Sequence, residues 1–324
     1  MYKTAVKNFI IVLLLAFLSV TNVQAKQLSF TKKVQKDSYV FSYQWLDHSK
    51  VRQSIQFNLS KFALFERFRM LKPYQGEFAQ KTILRAIKKQ LRQQPLTDAN
   101  VVFKQQQGKT VIQVKGVDDE KVAAAYQKIN EIERKVTKKY FNKNYYQFFT
   151  THDQQTGIKV DHVNIAQASV ADFKVLKPII LDKVSIENIR KVTNFVLSFV
   201  QSIPYSTLES RMTSSGAGFN PPAKLLWENQ GDCDSKMALT ATILRALMPR
   251  IDMAMIYIDQ HAFIGIAIPA TAGEVSIKYN DVNYLLAEPT GPALYPLGTL
   301  APESELAIDQ ERYVAEAFHS DGSF

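Results

Sequence analysis

Three side chains in the C-terminal half of this chain have the types and order needed for nucleophilic catalysis. Cys233 is the only cysteine among 324 residues. It follows Gly231-Asp232, and Asp232 suits the N-cap of a helix that runs to Met248 and is stopped by Pro249. Cys233, Met237, Ala241, Leu244 and Met248 recur at helical spacing. The cysteine therefore lies on the apolar stripe, in the first turn, where the helix N-terminus favours a thiolate. Asp232 and Asp234 oppose this, because nearby negative charge raises a thiol pKa. A thiolate here needs an imidazolium partner. His261 opens an apolar strand, and Glu288 closes another, Val282–Ala287. If Ile268 pairs with Asp281 in an antiparallel hairpin, His261 faces Glu288, with Cβ atoms about 4.5–5.5 Å apart. A thiolate could then attack a carbonyl, histidine could take and return the proton, and the carboxylate could fix the imidazole tautomer. Taken singly, each residue has a plainer reading: a small apolar residue after a cap, a satisfied core histidine and a strand-end carboxylate.

The elements that must position this set begin with a helix over Ser185–Gln201, ended at Ile203-Pro204 because a residue before proline leaves helical geometry. A Ser-, Gly- and Pro-rich loop runs from Tyr205 to Pro222 before the cysteine helix. Strands over Met253–Ile258 and His261–Ile268 flank an Asp259-Gln260 turn, and a 269–281 loop leads to the strand that ends at Glu288.

In this region the chain resembles the transglutaminase-like superfamily, and within it the bacterial periplasmic transglutaminase-like cysteine peptidases. The resemblance rests on Phe199-Val200-Gln201-Ser202-Ile203-Pro204-Tyr205, Gly231-Asp232-Cys233-Asp234, His261-Ala262-Phe263 and Glu288-Pro289-Thr290, and covers roughly residues 181–300. Gly-Asp-Cys opening a helix is the most specific of these. The resemblance implies a papain-like α+β core with the cysteine helix packed on an antiparallel sheet. It implies thiol chemistry on amides, with Cys233 as nucleophile, His261 as base and Glu288 as orienting acid. It also implies an oxyanion-hole side chain upstream of the cysteine, for which Gln201 and Tyr205 are candidates. The chain departs from the pattern in having Glu288 where Asp is usual. It also has Ser235 where several relatives carry an acidic residue that helps bind calcium, which argues against a calcium site.

Composition sets the frame. Hydrophobic residues make up 46% and charged residues 22%, a globular balance. One cysteine excludes an intrachain disulfide, a multi-cysteine zinc site and an iron–sulfur site. No metal or other cofactor is implied, since His48, His152 and His162 lie near carboxylates in sequence but lack metal-ligand spacing. Lys3 and Lys7, the apolar run Phe9–Leu18 and Val23-Gln24-Ala25 read as a secretory signal over 1–25, cleaved after Ala25, which places the mature protein in a bacterial periplasm. No later stretch is apolar enough for a transmembrane helix.

The formal net charge of +10 divides unevenly. Residues 26–180 carry 28 Lys+Arg and 13 Asp+Glu; residues 181–324 carry 10 and 17. This predicts two units, over 26–180 and 181–324; the first reads as a basic α+β domain, and the resemblance implies that the second is transglutaminase-like. In the first, Tyr39, Phe41, Tyr43 and Trp45 alternate on one strand and Ile55, Phe57 and Leu59 on the next, joined at Asp47–Lys50. Helices are expected over Phe62–Leu71 and Glu77–Gln93, and then a hairpin of Val101–Phe103 and Thr110–Val114 turning at Gln107-Gly108. A helix striped by Val122, Tyr126, Ile129, Ile132, Val136 and Tyr140 follows, then strands at Tyr145–Thr151 and Ile158–Ile165. The basic helices would suit an acidic polymer or partner protein, against the plainer reading of a solvated face; export argues against nucleic acid. The sequence thus points to an exported thiol-dependent hydrolase of a peptide or protein substrate. A catalytically idle binding or scaffold protein, or a transglutaminase-type acyl transferase, are the alternatives.

Overall fold

The structure is a computed structural model that describes residues 24–106, 109–209 and 218–320. Three antiparallel strands come first: β1 (Lys26–Gln35), β2 (Ser38–Leu46) and β3 (Arg52–Ser60), in the order β1-β2-β3. Strand alternation puts Phe41, Tyr43 and Trp45 of β2 and Ile55, Phe57 and Leu59 of β3 on the buried face. Phe41 lies opposite Phe57 and Tyr43 opposite Ile55. The connecting turn is built on Asp47, whose Oδ1 accepts from the Ser49 and Val51 N–H groups at 2.9 Å each. β1 has no such apolar alternation to reveal it: most of its residues are polar and exposed.

The helix expected over Phe62–Leu71 is one π-helical turn, Phe62–Glu66, that brings Phe65 onto Trp227, ring centroids 5.0 Å apart. There follow α1 (Gly76–Gln93), the hairpin of β4 (Ala99–Gln106) and β5 (Lys109–Gly116), α2 (Asp119–Asn144) and the hairpin of β6 (Tyr146–Thr150) and β7 (Thr156–Val160). The Gln107-Gly108 turn lies outside the described residues. Asp118 caps α2, accepting from Lys121 N–H at 2.8 Å. The strand expected over Ile158–Ile165 stops at Val160, because Asp161 accepts from Asn164 N–H at 3.0 Å and starts a helix, α3 (His162–Phe173).

After α4 (Leu176–Leu181) come α5 (Ile189–Ser202), α6 (Pro222–Glu228) and α7 (Cys233–Leu247). Then come β8 (Met253–Ile258), β9 (His261–Ile266), β10 (Ser276–Tyr279), β11 (Val282–Ala287), α8 (Pro302–Asp309) and β12 (Val314–Phe318). The last five strands form one antiparallel sheet, β10-β11-β9-β8-β12. The protein is thus a mixed α+β structure with antiparallel sheets.

The largest apolar cluster joins Phe41, Tyr43, Trp45, Phe57 and Leu59 to Phe195, Val196 and Phe199 of α5, to Met237, Ala241 and Leu244 of α7, and to Ala262, Ile264 and Ile266 of β9. Charge divides near residue 180; this cluster does not. A second cluster, on the other face of the sheet, holds Ile256, Phe263, Tyr284, Leu286 and Ile308. Among the described residues, no helix is long and apolar enough to cross a membrane.

Candidate active site

The α7 N-terminus is held from three sides. Asp232 Oδ1 accepts from Ser235 N–H at 3.0 Å, and the Ser235 hydroxyl accepts from Asn220 N–H at 2.8 Å. Gly231 N–H donates to the Pro204 carbonyl at 3.2 Å, and Ser206 N–H donates to the Gly231 carbonyl at 3.1 Å, so the Pro204–Ser206 segment runs beside the cysteine turn. Lys236, fully buried one turn into α7, donates from Nζ to the Ile203 carbonyl at 2.5 Å. Burial pulls its pKa down to about 7, against the opposing pull of the Asp232 and Glu288 charges. The signal for this residue was a charged side chain three positions from Cys233, beside the apolar stripe.

Cys233 is buried, with 9% of its surface exposed. Burial pushes its thiol pKa well up, and the Asp234 and Asp232 charges add to this, while the Ala262 and Asp234 backbone N–H groups favour the thiolate. The sulfur therefore lies against β9, beside the residue that follows His261. Its hydrogen-bond acceptor is Asp234 Oδ1 at 3.8 Å; no hydrogen bond joins it to the His261 ring.

His261 and Glu288 do meet: His261 Nε2 lies 2.6 Å from Glu288 Oε1. Nε2–H donates to the carboxylate, which leaves Nδ1 as the basic nitrogen. They meet in a different register from the expected one. β11 pairs with β9 through Leu285↔Ile266 and Ala287↔Ile264, two residues away from a ladder that sets Ile268 against Asp281. β10, inside the expected 269–281 loop, takes the other edge of β11. A two-residue shift preserves the face but makes the pair diagonal: continued by one residue, the ladder sets Glu288 opposite Phe263. Diagonal neighbours are about 7–8 Å apart, and the longer glutamate side chain closes that gap.

Burial pulls the His261 pKa down, but the Glu288 hydrogen bond and charge, with the Asp234 charge, outweigh it and raise the pKa. Glu288 is 1% exposed, and its Oε2 accepts from the Ser304 hydroxyl of α8 at 3.2 Å.

The two oxyanion candidates differ in place. Gln201 is buried, and its Nε2 donates to the Glu288 carbonyl at 2.6 Å and the Tyr295 carbonyl at 2.8 Å. Its Oε1 lies 3.1 Å from His48 Nε2, which also contacts the Tyr295 carbonyl at 3.1 Å. Both partners of that nitrogen are acceptors, so it carries the proton. Gln201 thus fixes the backbone that carries Glu288, with His48 of the β2–β3 turn behind it. Tyr205 is half exposed, pairs through its backbone with Gly231, and feels the Cys233, Asp232 and Asp234 charges. Its partial burial, and after it those charges, raise its pKa, so its hydroxyl stays a donor.

The loop after Glu288 runs so close to α5 that a Cβ on Gly291 would lie 2.4 Å from the Gln201 carbonyl oxygen. Backbone cannot yield as a side-chain tip can. Gly291→Ala should therefore destabilise the protein by about 1–3 kcal/mol and loosen Glu288, measured by denaturant unfolding.

His152 has no part in this constellation, whereas His162 does: its Nε2 lies 3.6 Å from Asp234 Oδ2. The sequence shows His162 only as a histidine without metal-ligand spacing; it lies 71 residues before Cys233 in the chain, and only the fold brings the two together. Among the described residues, no group of three or more His, Cys, Asp or Glu could hold a metal ion. A cavity of about 690 Å³ lies elsewhere, between α2 and β6, lined by Arg134, Lys138, Phe141, Tyr146 and Phe148 among others; neither Cys233, His261 nor Glu288 lines it. The chain matches no protein-family model, no curated protein and no solved structure.

Proposed function

We propose that this protein is an exported thiol-dependent amide hydrolase, a peptidase or isopeptidase, with Cys233 as nucleophile, His261 as general base and Glu288 as the acid that orients it. The observation that carries the reading is the 2.6 Å contact of His261 with a buried Glu288, at the start of the strand whose next backbone N–H faces the Cys233 sulfur. A helix N-terminus bearing a lone cysteine, packed on an antiparallel sheet that bears a histidine–carboxylate pair, is the arrangement expected of a papain- or transglutaminase-like core. The thiol proton would pass to His261 Nδ1, and the sulfur would attack the amide carbonyl. The developing oxyanion would find the Tyr205 hydroxyl as donor, and imidazolium would protonate the departing amine. Water would then release the acyl group. The 1–25 segment acts as the cleaved signal that delivers the protein to the periplasm; the basic residues of the first half form a solvated face that would also suit an acidic polymer or partner protein.

Two observations favour a second reading, an idle fold kept for binding: the thiol pKa is raised, not lowered, and the sulfur has no hydrogen bond to His261. Iodoacetamide alkylation of Cys233 across pH separates the two. A catalytic pair requires the rate at pH 7 to fall about tenfold or more in His261→Ala, since the reacting species is the thiolate stabilised by imidazolium. A thiol that titrates at or above its ordinary value of about 8.5 and ignores His261→Ala overturns the hydrolase reading.

A further inference from the structure

Asp234 stands at the centre of a polar cluster that the triad does not use. Its Oδ1 lies 3.8 Å from Cys233 Sγ, and its Oδ2 lies 3.6 Å from His162 Nε2. His162 is 2% exposed, its ring set 4.8 Å from that of Phe219. Its other nitrogen, Nδ1, lies 3.1 Å from the Tyr257 hydroxyl. Burial, with the nearby Lys159 charge, lowers the His162 pKa well below its ordinary value, so the ring is neutral and carries one proton. The one hydroxyl proton of Tyr257 has three acceptors, His162 Nδ1, Met255 Sδ at 3.7 Å and the Glu316 carboxylate; donated to Nδ1, it sets the His162 proton on Nε2, toward Asp234. Contacts then lead from β8 through α3 to the cysteine turn: the Tyr257 hydroxyl against His162 Nδ1, the His162 Nε2 side against Asp234 at 3.6 Å, an electrostatic contact longer than a hydrogen bond, and Cys233 S–H to Asp234.

Resting on the hydrolase reading, we propose that His162 and Tyr257 are positioning residues: they hold the Asp234 carboxylate against the Cys233 sulfur, so that the resting protein keeps the thiol protonated and its proton directed at Asp234 rather than at His261. Catalysis then begins when the S–H bond turns from Oδ1 toward His261 Nδ1. The proton passes to that nitrogen, and the S–H electron pair stays on sulfur. The same carboxylate, near His261, stabilises the imidazolium that results. Asp234 thus disfavours a free thiolate while favouring the charged base, which ties the charge on sulfur to the charge on histidine.

The groups that face Asp234 are Asp232 and Cys233 of its own turn, His162 of α3, Lys159 of β7, Tyr257 of β8, His261 of β9, Glu316 of β12 and Tyr205. Burial pushes the Asp234 carboxyl up, and the Lys159 and His261 charges pull it back.

The test uses the chain's only thiol as its own probe: iodoacetamide alkylation from pH 5 to 10, read by intact mass. Asp234→Asn removes the charge and keeps the shape. Its alkylation at pH 7 should rise about tenfold, with the midpoint of the profile about one unit lower. His162→Phe should shift the profile the same way by less, and should add nothing in the Asp234→Asn background, because it acts through Asp234. His162→Gln, which retains an N–H donor, should stay near the wild-type profile. If His162→Phe does not fold, Tyr257→Phe replaces it, removing only the hydroxyl. An Asp234→Asn protein no faster than wild type overturns the inference. So does a His162→Phe or Tyr257→Phe shift that is the same with and without Asp234. His261→Ala in the same assay keeps the two readings apart. If it lowers the rate while Asp234→Asn has no effect, only the positioning role falls; if it has no effect, the hydrolase reading falls.

Discussion

Glu288→Asp should abolish thiol chemistry nearly as completely as Glu288→Gln, although aspartate keeps the charge and is the commoner acid in such triads. The reason is register. His261 and Glu288 are diagonal, not directly opposed, and contact at 2.6 Å needs the full glutamate side chain. Aspartate is one methylene shorter, and its carboxylate would stop beyond hydrogen-bond reach of Nε2. It would also leave the Ser304 hydroxyl without its 3.2 Å acceptor. With a substrate captured from periplasmic extract by a Cys233→Ala variant, amide hydrolysis should fall by about 10²–10⁴ in both Glu288 variants.

The pH dependence carries a sign that checks the cause. In the intact protein the folded His261 pKa is raised, so the His261–Glu288 pair stabilises the fold fully below the ordinary histidine value of about 6.5. That contribution is lost as pH rises through the raised folded pKa. In Glu288→Gln the carboxylate is gone and burial is opposed only by Asp234, so the His261 pKa falls. Stability near pH 6 should drop relative to pH 8, reversing the trend. An NMR titration of His261 and denaturant unfolding at the two pH values measure this. An Asp variant with wild-type hydrolysis would show that the strands pair as the simple hairpin does.

How much of this was legible follows from what each feature depends on. Residue period is local, so the β2 and β3 faces, α1, α7 and the Ile129 and Ile132 positions of α2 stand in the sequence as they do in space; Tyr126, expected on the α2 stripe, is exposed, and Ala125 and Phe141 are buried instead. Val282–Ala287 as a strand and His261 as a strand start are equally local. The register of β11 on β9 is not: apolar residues fill both faces of these buried strands, so nothing in their pattern distinguishes one two-residue shift from another. β10, four residues with a single buried side chain, left no period to read. The polar groups around the site were hidden for a different reason. His48, His162 and Lys159 come from the basic half, and only tertiary packing brings them within reach of Gln201, Asp234 and Tyr257. The charge division at residue 180 was a true feature of composition. It says which residues face solvent, and the solvated face of α2 can be basic whatever its buried stripe touches.

Trp45→Ala tests whether that division is also a division of stability. Trp45 is fully buried, its ring centroid 5.4 Å from that of Phe195 and 5.2 Å from that of Phe199, and its indole N–H donates to the Ser198 hydroxyl at 3.0 Å. All three partners are on α5, beyond residue 180. Ser198 is three residues before Gln201, so the helix face that receives Trp45 continues into the side chain that holds the Glu288 carbonyl. Emptying this site should cost about 3–5 kcal/mol, roughly a fifth or more of the total stability of a typical domain. If β1–β3 and the α5–β12 region share one core, as the continuous apolar cluster requires, far-UV circular dichroism and Cys233 exposure should melt in one transition. Both should move down together in Trp45→Ala. Trp45→Phe, which keeps most of the ring and loses the N–H, should cost less. A Trp45→Ala protein whose Cys233 exposure melts at the wild-type temperature would mean that the N-terminal sheet unfolds alone. The basic half would then be an independent module placed beside the site, and His48 behind Gln201 would be dispensable to it.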